Sequence, residues 1–92
     1  DNGEIIRLNV PPLTEERRRD LVKQIKTEGE DTKIGIRNAR REGNEELKVL
    51  QKDGLPEDEE KIGESEIQKL TDSYIEKVDK DVDLKEKDIM TV

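Results

Sequence analysis

Histidine, cysteine, tryptophan and phenylalanine are all missing from this chain of 92 residues, and Tyr74 is its only aromatic side chain. Without cysteine there is no disulfide and no thiolate metal site, and the redox compartment cannot be read. Without histidine as well, the only two serines, Ser65 and Ser73, have no base to activate them, so the usual nucleophilic arrangements cannot be built. The dearth of aromatics removes the stacking platform on which single-strand binders lay their bases, so any nucleic-acid contact must run through backbone and shape. Hydrophobic residues are also scarce, at 28% against 47% charged, a thin supply of core that argues against a compact globule and allows at most one small domain. No apolar run approaches a membrane span and no signal-peptide pattern opens the chain, so the expectation is a soluble, cytoplasmic protein with no membrane partner.

What the chain does have is charge, unevenly placed. The net charge of −7 divides into 0 for residues 1–50 and −7 for residues 51–92, and all seven arginines lie in the first half. A neutral half with a basic stripe can bind phosphate while the acidic half turns away or faces a protein. On a helical wheel of about 100° per residue, with Arg37 at zero, Lys26, Lys33, Arg40, Arg41, Asn44 and Lys48 fall within roughly 60°. Glu28, Asp31, Glu42, Glu45 and Glu46 spread over roughly 80–180°, and Ile25, Gly29, Thr32, Ile36, Ala39, Gly43 and Leu50 over roughly 200–280°. One helix therefore carries a basic, an acidic and a core face. A Lys/Arg run can be no more than a solvated face supported by acidic i,i+4 neighbours. The segregation of signs, interrupted mainly by Glu30, points instead to a local positive field, and arginine's planar fork suits phosphate.

Along the chain, Ile6, Leu8 and Val10 alternate with Arg7 and Asn9, which reads as a strand over 4–10. One strand cannot form a sheet alone. Val10, Pro11 and Pro12 then form a stiff connection with no N–H to donate at either proline, suited to a hinge. Thr14 is an N-cap candidate followed by Glu15 and Glu16 in a first turn, so a helix is expected over about 14–52. Its apolar or small positions are Val22, Ile25, Gly29, Thr32, Ile36, Ala39, Gly43 and Leu50. Gly29, Gly35 and Gly43 each cost on the order of 1 kcal/mol against alanine, and Gly35 faces the acidic side with no packing reason. Asp53-Gly54 supplies a turn and Pro56 the first turn of a second helix, expected over about 57–88, with apolar positions Ile62, Ile67, Leu70, Tyr74, Ile75, Val78, Val82 and Ile89. So short a connection makes the two helices antiparallel neighbours. Two such helices leave much of each stripe in water, so a third is expected from sequence beyond this chain, from a partner, or from self-association into a four-helix dimer.

No cofactor or metal site is expected. Glu57-Asp58-Glu59-Glu60 lacks the alternating ligands and glycine of a calcium loop and reads as the solvated acidic start of a helix. The glycines lie inside a helical pattern, not between a strand and a helix as in a phosphate loop. The chain does not read as an enzyme.

Four ordered motifs carry a resemblance: Ile6-Arg7-Leu8-Asn9-Val10-Pro11-Pro12-Leu13-Thr14-Glu15-Glu16-Arg17-Arg18; Arg37-Asn38-Ala39-Arg40-Arg41; Ile67-Gln68-Lys69-Leu70-Thr71-Asp72; and Lys85-Glu86-Lys87-Asp88-Ile89-Met90. In this order and spacing they resemble the carboxy-terminal part of a bacterial ribosome recycling factor, over about residues 5 to 92. The chain departs from the family's pattern at Gly29 and Gly43, where alanine is usual, at Pro56, where a serine cap is common, and at Asp81 and Asp83, in a segment usually more apolar.

The resemblance implies a mainly α fold, a long antiparallel helical hairpin from a three-helix bundle. Residues 1–13 would be the last strand and hinge of a β domain inserted between the first two bundle helices, and 14–92 the second and third of those helices. It also implies a translation factor that binds the large ribosomal subunit and its rRNA and, with elongation factor G and GTP, splits post-termination ribosomes. The family's arginine motif falls on Arg37, Arg40 and Arg41, with Arg40 foremost; Lys33, Asn44 and Lys48 complete the expected rRNA-binding stripe. The competing expectation is a structural hairpin that docks on other proteins through its apolar stripe and needs no basic face.

Overall fold

A computed structural model describes residues 13–91, which form two long helices, α1 (Glu15–Lys52) and α2 (Glu57–Met90), in a rod of 74 × 24 × 16 Å. The mainly α hairpin expected from the periodicity is what the chain forms. The strand expected over 4–10 and the hinge at Val10, Pro11 and Pro12 lie outside the described residues.

Each end of the helices has a local cause. Thr14 is extended and its hydroxyl accepts from the Arg17 N–H at 3.0 Å, relieving one orphan donor of the first turn of α1, where Glu15 and Glu16 meet the positive end of the dipole. At the other end Gly54 takes φ +123°, which an L side chain rarely tolerates. The Gly54 N–H reaches the Gln51 carbonyl at 3.1 Å and the Leu55 N–H reaches the Leu50 carbonyl at 2.9 Å, the two reverse bonds of a Schellman stop. Pro56 stands at the N-cap of α2, one place before the helix, without a side-chain hydrogen bond. Four carboxylates, Glu57 to Glu60, occupy the first turn instead.

α2 runs two residues beyond the expected end because its last carbonyls are satisfied from α1. The Arg18 guanidinium donates to the carbonyls of Ile89 and, at 3.1 Å, Thr91, while its Nε reaches the Leu13 carbonyl at 3.3 Å. A cation at a helix C-terminus also complements the dipole. One arginine thus ties both open ends of the hairpin together.

The seam between the helices is narrower than the stripe that feeds it. Val22, Ile25, Gly29, Ile36, Gly43 and Leu47 of α1 turn towards Ile67, Thr71, Ile75, Val78, Val82 and Ile89 of α2, and all are buried or half-buried. Thr32, Ala39 and Leu50, expected in the core, are exposed, as are Ile62, Leu70 and Tyr74 of α2. The reason is geometric: a stripe of roughly 80° faces two neighbours, and one antiparallel partner covers only one edge of it. Among the described residues only Gly29, Glu60 and Thr71 are fully buried, and no large apolar side chain is.

Three glycines set the closeness of the seam. A methyl placed on Gly29 would stand 2.7 Å from Val82 Cγ2, one on Gly43 3.0 Å from Ile67 Cδ1, and one on Gly63 2.9 Å from Leu47 Cδ1. Gly35 has nothing within 4 Å. It brings only its entropic penalty, so Gly35→Ala is expected to stabilise the hairpin by about 1 kcal/mol. Thermal denaturation followed by circular dichroism should show a Tm higher by about 4–8 °C, and no rise would mean that position is not a solvent-facing helical one.

Candidate nucleic-acid interface

The basic stripe lies on one unbroken helix, so its residues are fixed relative to one another at roughly 1.5 Å of rise per residue. Where each side chain goes is decided by the second helix. Arg41 and Lys48 are exposed and point away from the seam, Arg41 donating to Asn38 Oδ1 at 3.3 Å. Arg37 and Asn44 are half-buried at the seam's flank. Arg40 is half-buried across the seam itself, on the wall of an open groove of about 250 Å³ whose other walls include Ala39, Gly43, Ile67, Leu70 and Tyr74. Its stem covers apolar surface and leaves the guanidinium free, as long cationic side chains commonly do.

Lys33 is in a different situation. Its ammonium meets Asp79 Oδ1 of α2 at 2.8 Å and Glu30 Oε1 at 2.9 Å, and the side chain is only 15% exposed. The hydrogen bond to Asp79, then that to Glu30, holds its pKa above the ordinary lysine value of 10.5. An amine whose pKa is raised on folding contributes stability that is complete at neutral pH and is lost only as pH climbs through the raised value. Lys26, one helical repeat earlier, reaches Glu86 Oε1 at 3.5 Å. By contrast, among the described residues Arg37, Arg40, Arg41 and Lys48 form no ion pair. The expected stripe therefore divides into a neutralised half, Lys26 to Lys33, and a half carrying four uncompensated positive charges.

Asn44 sits within the charged half, and its Oδ1 is buried with no hydrogen-bond partner. An orphaned acceptor costs on the order of 1–3 kcal/mol. The other carboxamide atom, Nδ2, is a donor, so this side chain can serve an acceptor such as a phosphate oxygen only through its nitrogen.

Sequence reasoning missed Asp79 and Glu86, which decide which lysines are free, and Leu47, which packs on Gly63. The signal was available in the turn. Facing positions such as Gly43 and Ile67, Gly29 and Val82, or Lys33 and Asp79 have numbers that sum to between 110 and 112, a register set by the stop at Gly54. Reading the acidic positions of α2 through that register would have paired them with the lysines.

No group of three or more acidic side chains gathers to hold a metal ion among the described residues, and no described helix is long and apolar enough to cross a membrane. The Glu57–Glu60 carboxylates lie along a first helical turn, as the sequence suggested.

The family model described as ribosome recycling factor matches residues 1–90. Proteins named ribosome-recycling factor from Flavobacterium psychrophilum and Parabacteroides distasonis are 56% and 57% identical to the chain over its whole length, and one from Clostridium tetani 54%. The chain spans about half the length of these curated relatives, 49% of the first and 50% of the other two.

Proposed function

The chain belongs to the ribosome recycling factor family, and from that premise we propose that the whole protein binds large-subunit rRNA through the free half of its basic stripe and, with elongation factor G and GTP, splits post-termination ribosomes in the cytoplasm. One observation carries this reading: four cations of α1 stand without ion-pair partners in a chain whose net charge is −7. An isolated positive field on an acidic protein favours phosphate at that face and opposes it elsewhere. Arg37, Arg40 and Arg41 are the leading contacts, with Lys48 and Asn44 beside them. The protein performs no covalent chemistry of its own. Its bundle acts as a strut, held by phosphate contacts, through which the elongation factor's motion is delivered to the subunit interface.

On this reading the open groove receives the family's first bundle helix. Its middle is apolar, lined by Ile36, Ile67, Leu70 and Tyr74, and acidic residues flank it towards the ends, Glu28 and Asp81 at one and Glu42 and Glu46 at the other. Those flanks disfavour the self-associated four-helix alternative, since two copies would set carboxylate against carboxylate.

Arg40→Met tests the proposal, because methionine keeps the apolar stem over the groove and the helix propensity while removing the charge. Binding of the whole protein to purified large subunits should weaken by about 1–3 kcal/mol with helix content unchanged. Equal binding by both proteins across a range of salt concentrations would overturn it in favour of a hairpin that docks on protein alone.

A further inference from the structure

The helical wheel lays a continuous basic arc from Lys26 to Lys48, on the order of 33 Å of α1, yet only the part from Arg37 onward is free. The cause lies on the other helix. Asp79 of α2 and Glu30 of α1 hold the Lys33 ammonium between them, and Glu86 holds Lys26. Two carboxylates around one ammonium leave that point of the surface negative, not neutral, one turn before Arg37. Extending the proposed RNA-binding reading, on which it rests, we propose that Asp79, with Glu30, determines the boundary of the phosphate-binding surface by withholding Lys33 from it.

Several features support a boundary in place of a surface pair without consequence. Lys33 is the only cation of the stripe held by two carboxylates, and its side chain is 15% exposed against 58% for Lys26, so it is drawn into the flank of the hairpin. A lysine stem is flexible, and with its partners neutralised the ammonium swings out to solvent or phosphate. Glu30, the acidic residue that interrupts the basic arc, belongs to this device: at i,i+3 from Lys33 it holds the ammonium from its own helix while Asp79 holds it from across the seam. Asp83 lies one turn beyond Asp79 on the same side of α2 without a cationic partner among the described residues. It supplies a comparison that changes charge without releasing a lysine.

The test uses the whole protein and two probes, purified large ribosomal subunits and a short RNA duplex of unrelated sequence, with helix content and Tm checked for every variant. In the pair E30Q/D79N, binding to the duplex should tighten several-fold at low salt, and the slope of log affinity against log salt should steepen by about 0.7–0.9, the release of one further phosphate contact. Lys33→Ala should leave the unaltered protein's binding unchanged and should cancel the gain when added to E30Q/D79N. A gain that survives Lys33→Ala, or that Asp83→Asn reproduces, would overturn the boundary and leave only a general effect of net charge. Weakening by Lys33→Ala in the unaltered protein would overturn it as well, because Lys33 would already be a contact. In each of these cases Arg40→Met still reports separately on RNA binding: if it too has no effect, the RNA-binding reading falls and the boundary with it.

Discussion

Removing Arg37, Arg40 and Arg41 together, as methionines, is expected to weaken binding to large subunits by at least about a hundredfold at moderate salt, since each charged contact is worth on the order of 1–3 kcal/mol. The three sit within little more than one turn, so their effects will not add simply. Salt dependence separates them more cleanly than affinity does. If each arginine neutralises one phosphate, the slope of log affinity against log salt should fall by roughly 2–3 in the triple variant. Lys26 and Lys33 provide the matched comparison, being cations of the same stripe already paired with Glu86, Asp79 and Glu30. Replacing those two with methionine should leave the slope nearly unchanged. Methionine's helix propensity is close to that of arginine and lysine, so any loss of helix content would count against reading the effect as charge. An unaltered slope in the triple variant would mean that the basic stripe is a solvated face after all, and the protein's purchase on the ribosome would have to be sought along the groove.

Local chemistry made much of this hairpin readable. Thr14 with Glu15 and Glu16 marks the start of α1, Asp53-Gly54 its stop, and the three-and-four spacing of apolar residues the length of both helices, because each of these signals acts through groups within a turn or two of one another. Sectors were readable too, but not their occupants. The wheel assigns Thr32, Ala39 and Leu50 to the core, whereas the second helix covers only the edge through Val22, Gly29 and Leu47, since a sector holds no information on how many neighbours will share it. The end of α2 depends on Arg18, more than seventy positions away in sequence, and so escapes any local rule. The basic stripe shows the same division. Its arginines were visible from spacing alone, but whether a given cation is free depends on the facing helix, and Lys33 differs from Lys48 only because Asp79 lies opposite one of them.

The second large effect is expected at Gly29, the one fully buried residue of α1. A methyl there would stand 2.7 Å from Val82 Cγ2, inside any normal contact. Alanine would regain about 1 kcal/mol of helix propensity, but the β-branched Val82 is stiff at χ1 and cannot easily turn aside. Gly29→Ala should therefore gain little or lose slightly, unlike Gly35→Ala at a position with nothing within 4 Å. Gly29→Leu has no such compromise. Overpacking of this kind costs about 1–3 kcal/mol or more, a large fraction of the stability of a small domain, and this hairpin has no fully buried large apolar side chain to absorb the strain. With about 4–8 °C per kcal/mol in a domain of this size, Tm should fall by roughly 10 °C or more. The helices would separate first around Gly29 and Val82, next to the Lys33–Asp79 pair, so helix docking and the neutralised half of the stripe should be disturbed together. Val82→Ala removes the atom that a larger residue at position 29 would strike. Combined with Gly29→Leu it should recover part of the loss, with a coupling of about 0.5–3 kcal/mol between the two sites. If Gly29→Leu proves as stable as Gly35→Ala, or the double variant shows no coupling, the two helices do not meet at Gly29 and Val82. The register that sets Asp79 opposite Lys33 would then have to be redrawn.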